Sequence, residues 1–119
     1  MDVQQGQVDT DGPTADSVTT SCGNSTSNSS FQVYANNVAD PSGVDKVLFP
    51  TWTDYNGQDD LKWYQGTFDA ANNRWNVNID VSQHNNEYGI YKVHAYGYDT
   101  LGNKAFLGGV NVDVQQVNI

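Results

Sequence analysis

Arg74-Trp75-Asn76-Val77-Asn78-Ile79-Asp80-Val81 decides the fold, because apolar and polar residues alternate along it without a break. Successive strand side chains point to opposite faces, so Trp75, Val77, Ile79 and Val81 share one face while Arg74, Asn76, Asn78 and Asp80 share the other. A helix would spread the same residues around its axis. The run is therefore a strand with one face in a core.

Working outward, the same period recurs between turn signals. Asn72-Asn73 supplies the turn before it, and residues 61–68 form a strand preceded by Asn56-Gly57. Asn-Gly is a strong hairpin signal, since both central positions of a type I′ turn require positive φ. It joins that strand to residues 44–53, where Val47, Phe49 and Thr51 face one way and Leu48 and Trp52 the other. Pro50 lacks a donor for the ladder, which predicts an edge strand or a bulge there. Asp40-Pro41-Ser42-Gly43 turns the chain from an earlier strand carrying Phe31, Val33 and Ala35. Residues 6–30 are polar and punctuated, with one short strand over 17–22.

On the other side, residues 82–88 read as a polar crossover. Tyr91, Val93 and Ala95 then alternate with Lys92, His94 and Tyr96 up to Asp99, Leu101-Gly102-Asn103 turns the chain, and residues 105–117 give a last strand with Val110, Val112 and Val114 on one face. Seven antiparallel strands at these spacings, with no amphipathic helix, predict an all-β fold, an immunoglobulin-like β-sandwich. Tyr91, near the start of the penultimate strand and two residues before inward Val93, has the placement of a tyrosine corner.

Composition narrows the function. Fourteen acidic residues against five basic ones give a net charge of −9, which argues against nucleic acid and anionic membranes as partners. A single cysteine, Cys22, leaves no internal disulfide and no multi-thiolate metal site. No run of residues is long and apolar enough for a membrane-spanning helix. Asp2-Val3-Gln4-Gln5 recurs one domain length later as Asp113-Val114-Gln115-Gln116. The echo implies a tandem array, with the first copy the severed last strand of a preceding module. Residues 1–16 are then linker and remnant, residues 17–119 the repeat domain, and residues before about Val18, Val3 included, are expected to pack poorly on it.

Three stretches together resemble the group B streptococcal Bsp-like repeat: Ser42-Gly43-Val44; Phe49-Pro50-Thr51-Trp52 through Asn56-Gly57-Gln58-Asp59-Asp60-Leu61-Lys62-Trp63-Tyr64; and His84 with Gly89-Ile90-Tyr91-Lys92-Val93-His94-Ala95-Tyr96. The polar stretch over 23–30 departs from that pattern. The resemblance implies a non-catalytic immunoglobulin-like module of extracellular surface or secreted, cell-wall-associated proteins of Gram-positive bacteria. It would serve as a spacer between neighbouring repeats and as a contact with peptidoglycan or another wall glycan, with no cofactor.

Three groups of residues bear on chemistry. Asp54, Asn56 and Asp59 crowd oxygen atoms around one turn, a weak calcium pattern, but the spacing is not that of an EF-hand and Asx-rich turns form without metal. Trp52, Trp63 and Tyr64, with Asp59, Asp60 and His94, are the candidate ligand-binding set: aromatic faces stack on sugar rings while carboxylates bind hydroxyls. Adjacent strand residues take opposite faces, so only one of Trp63 and Tyr64 can point outward. This set is the basis of the alternative function, a carbohydrate-binding module. His94 falls opposite Val93 and is expected at the sheet surface, and His84 is expected to pin the crossover by bonding backbone groups. Neither completes a catalytic set, and the chain is expected not to be an enzyme.

Overall fold

A computed structural model describes residues 11–54, 61–84 and 87–115. Among these, nine strands form two sheets: β1 (Ser17–Thr20), β2 (Ser25–Thr26), β3 (Ser30–Asn36), β4 (Val44–Thr53), β5 (Lys62–Gln65), β6 (Thr67–Asp69), β7 (Arg74–Asp80), β8 (Gly89–Asp99) and β9 (Lys104–Val114). The five-stranded sheet runs β2-β9-β8-β4-β5 and the four-stranded sheet β1-β3-β7-β6. The one helical element among the described residues is a 3₁₀ turn, Val81–Gln83, whose preceding residue Asp80 accepts a hydrogen bond from the Ser82 N–H.

Alternation places the core between the sheets. Phe31, Val33 and Ala35 on β3 and Val77 and Ile79 on β7 meet Val47 and Phe49 on β4, Tyr91, Val93 and Ala95 on β8, and Val112 and Val114 on β9, all buried. Phe31 and Tyr91 touch edge to face across the layers, their centroids 5.9 Å apart. Trp75 shares the inward face with Val77 and packs beside the core against Phe68. The Tyr91 hydroxyl donates to the Glu87 carbonyl at 2.6 Å, the back-reaching bond of a tyrosine corner.

The count of nine corrects the expected seven for two reasons. The strand predicted over 61–68 breaks at Gly66 and changes sheets: β5 pairs with β4, while β6 pairs with β7. The Gly66 N–H donates to the Val47 carbonyl at 2.8 Å, and a Cβ on Gly66 would lie 2.7 Å from Phe49 Cε1. Only a residue without a side chain fits this crossing. The second reason is β2, which arises in the polar stretch over 23–30 and pairs with β9 in parallel. Not every strand is antiparallel, then, and the first strand serves both sheets: β1 lies on β3, and after Gly23, at φ +72°, the chain crosses to β9.

Pro50 is also a correction, because β4 lies inside its sheet between β8 and β5. The β4–β8 ladder skips Phe49 and Pro50 while keeping its register from Lys46↔Tyr98 to Thr53↔Tyr91, so the missing donor costs a local gap and no edge. Residues 12–16 pack on the domain rather than hanging free. Pro13 is buried, Thr14 and Ala39 exchange backbone hydrogen bonds of 2.9 and 2.8 Å, and Gly12 lies against the backbone at Lys104 and Ala105. Val3 and the Asn56-Gly57 turn lie outside the described residues.

Candidate functional site

The outward residues of the five-stranded sheet follow from its register. With Val47, Phe49 and Thr51 buried, β4 turns Lys46, Leu48, Trp52 and Pro50, itself covered, to the outer face; with Tyr91, Val93 and Ala95 buried, β8 turns Lys92, His94, Tyr96 and Tyr98 outward. Directly paired residues share a face. Pro50↔Trp63 therefore puts Trp63 of β5 outside, and Phe106↔Tyr96 does the same for Phe106 of β9.

The result is a continuous aromatic surface. Trp63 and Phe106 are 53% and 56% exposed. Tyr96 lies between them, its centroid 5.9 Å from Trp63 at a 32° tilt and 5.5 Å from Phe106. His94 stands edge-on to Trp52 at 4.8 Å and to Phe106 at 5.2 Å. Burial among these rings, and secondarily the charge of Lys92, holds the His94 imidazole below its ordinary pKa, so at neutral pH it offers a neutral donor and acceptor. Gly109 faces His94 across the strand pair, and a Cβ there would sit 2.8 Å from the imidazole Cδ2. Beside the rings lies an open hollow of about 340 Å³ lined by Pro50, Trp52, Leu61, Trp63, His94 and Tyr96. A larger hollow, about 520 Å³, lies between β1 and β9 but has neither a ring nor a charged group in its lining.

The predicted set divides on this geometry. Trp52, Trp63 and His94 come together around the hollow. Tyr64 does not, because it takes the inward face: its hydroxyl is 2.6 Å from His84 Nε2. His84 is fully buried, tilted against Tyr64 and edge-on to Tyr91, and so anchors the crossover through a side-chain partner as well as through its backbone, whose N–H donates to the Val81 carbonyl. Asp59, Asp60 and Asn56 lie outside the described residues. Asp54, the remaining calcium candidate, is 3.5 Å from the Lys92 ammonium, and among the described residues no three His, Cys, Asp or Glu side chains gather as metal ligands would. Among them, too, no helix is long and apolar enough to cross a membrane. Tyr96, Phe106 and Pro50 are additions to the ligand-binding set expected from the sequence. The signal for Tyr96 is its alternation with Val93 and Ala95, but Phe106 needs the register of β9.

No curated protein is significantly similar to the chain. Among solved structures it is similar to part of a crystal structure of a polysaccharide deacetylase from Bacillus cereus, with a TM-score of 0.64 and 12% identity over 84% of this chain. The match spans 30% of the deacetylase's own length and bears on the fold alone. The GBS Bsp-like repeat pattern matches residues 21–112, most of the chain, taking in β2 to β8 whole and β9 as far as Val112 but not β1. On that match, the chain belongs to the group B streptococcal Bsp-like repeat family.

Proposed function

We propose that the chain is a non-catalytic, immunoglobulin-like repeat of an extracellular bacterial surface or cell-wall-associated protein, a spacer that also contacts peptidoglycan or another wall glycan through the outer face of its five-stranded sheet. The observation that carries this reading is the exposure of Trp63 and Phe106 around half-buried Tyr96 on one rigid face. Rings held on strands stack on sugars with little loss of side-chain freedom, whereas isolated exposed rings on loops would not.

The immunoglobulin-like assignment is supported by strand order. β1, β3, β7 and β6 occupy the places of strands A, B, E and D; β4, β8 and β9 those of C, F and G; and β5 that of C′. The spacer role is supported by the placement of Gly12 and Gln115. Gly12 lies against the start of β9, and Gln115 follows its end, so the two points are separated by the length of an eleven-residue strand, roughly 35 Å. Repeats joined near these two points would extend end to end. The alternative, a dedicated carbohydrate-binding module, uses the same face and differs in strength: micromolar binding is about −8 kcal/mol, against about −4 for a millimolar wall contact.

Co-sedimentation with purified Gram-positive cell walls tests the proposal. The chain should pellet with walls, and the Trp63→Ala, Phe106→Ala double variant should stay in the supernatant with an unchanged circular dichroism spectrum. Equal pelleting of both proteins would refute the assigned face.

A further inference from the structure

The basic residues of this acidic chain are not spread evenly. Of five lysines and arginines, Lys46, Lys92 and Lys104 all emerge on the aromatic face, the first two by the alternation of β4 and β8 and the third by its pairing with Tyr98. Lys92 is engaged by Asp54. Lys46 and Lys104 make no ion pair with the described carboxylates. Each ammonium instead lies over a tyrosine ring, Lys46 5.0 Å from the centre of Tyr98 and Lys104 5.5 Å from that of Tyr96.

The two lysines flank Tyr98 from either side, since both pair with it in the register. Their Cα atoms are thus two strand spacings apart, about 10 Å, and their long side chains can converge on one anion between them. The overall charge does not prevent this. At physiological ionic strength the screening length is about 8 Å, so carboxylates elsewhere on the molecule are largely damped while two ammonium groups at the site act at contact range.

We propose that the ligand of this face is an anionic glycan, a sugar polymer carrying phosphodiester or carboxylate groups, with a sugar ring on Trp63 and Tyr96 and the anion at Lys46 and Lys104. This rests on the reading that the face binds a glycan and adds which class it selects. Charge-assisted contacts to one anion are worth about a tenfold gain in affinity over a neutral sugar of the same length.

The test is an amide and indole NMR titration of the whole chain with three probes: a neutral N-acetylglucosamine oligomer, a glycerol-phosphate oligomer and an oligogalacturonate. At least one anionic probe should bind about tenfold more tightly than the neutral one, with shifts at Lys46, Tyr98 and Trp63, and the tighter of the two identifies phosphate or carboxylate as the group recognised. In the Lys46→Gln, Lys104→Gln variant that advantage should disappear while neutral-oligomer binding persists. Equal or weaker binding of both anionic probes overturns the anionic preference and leaves the glycan reading standing. Absence of any shift at Trp63 with all three probes overturns the glycan reading and this inference with it.

Discussion

Replacing Gly66 by alanine probes the point where the chain changes sheets. The new Cβ would meet Phe49 Cε1 at 2.7 Å and the Val47 carbonyl oxygen at 3.0 Å, against ordinary contacts of about 3.5–4.0 Å. Neither neighbour can yield. Phe49 is fully buried, and the Val47 oxygen is already held by the Gly66 N–H. Overpacking of this kind costs about 1–3 kcal/mol, and with both neighbours fixed the upper end applies. Alanine returns about 0.4–1 kcal/mol by restricting the unfolded chain, leaving a net loss of about 2 kcal/mol. For a chain of this length that lowers the melting temperature by roughly 8 °C. Urea unfolding followed by tryptophan fluorescence measures it, and Phe49→Leu in the Gly66→Ala background should recover part of the loss as a coupling energy. A Gly66→Ala variant within about 0.5 kcal/mol of the parent would show that the crossing does not need an empty position.

Tyr91→Phe should cost about 1–2 kcal/mol in the same assay, because it removes the bond to the Glu87 carbonyl without changing the ring packed on Phe31. Trp63→Ala should change stability by less than about 1 kcal/mol, since the ring is more than half exposed, while abolishing wall pelleting; loss of folding instead would place the ring in the core. The lowered pKa of His94 makes stability depend on pH with a definite sign. The unfolded imidazole, near 6.5, binds its proton before the folded one, so this contribution is complete above that value and declines as pH falls below it until the folded ring also protonates. Urea midpoints between about pH 5 and 7 should therefore rise with pH, and His94→Gln should flatten the rise; an unchanged slope would assign it elsewhere.

What the sequence disclosed follows the range of the interactions involved. The alternation in β3, β4, β7 and β8 predicts which residues are buried because one face of each strand meets a core: Val77, Ile79, Val93 and Ala95 are where period two puts them. The tyrosine corner was legible for the same reason, as a local feature of one strand. Changes of sheet were not. Gly66 reveals itself only through Phe49, which lies against it, and the turn at Gly23 only through the β9 edge that Ser25 and Thr26 reach beyond it; both contacts join residues distant in sequence. The site was half legible. Alternation forces Trp63 and Tyr64 to opposite faces but does not say which goes out; the His84 imidazole, buried beside Tyr91, draws the Tyr64 hydroxyl inward and leaves Trp63 to solvent. Phe106 joins the site through a bulge between Phe106 and Gly108 that shifts the β9 register, and that irregularity has no period to betray it.

The three tryptophans give the most direct test of the central claim, because they divide between the two sheets: Trp52 and Trp63 line the outer hollow, and Trp75 packs beside the core on β7. Their indole N–H signals can be followed in one spectrum while wall-derived glycan fragments are added. The Trp63 and Trp52 signals should move together along a single saturation curve while the Trp75 signal stays fixed. Movement of Trp75 alone, or no movement of Trp63 at millimolar fragment, would contradict it.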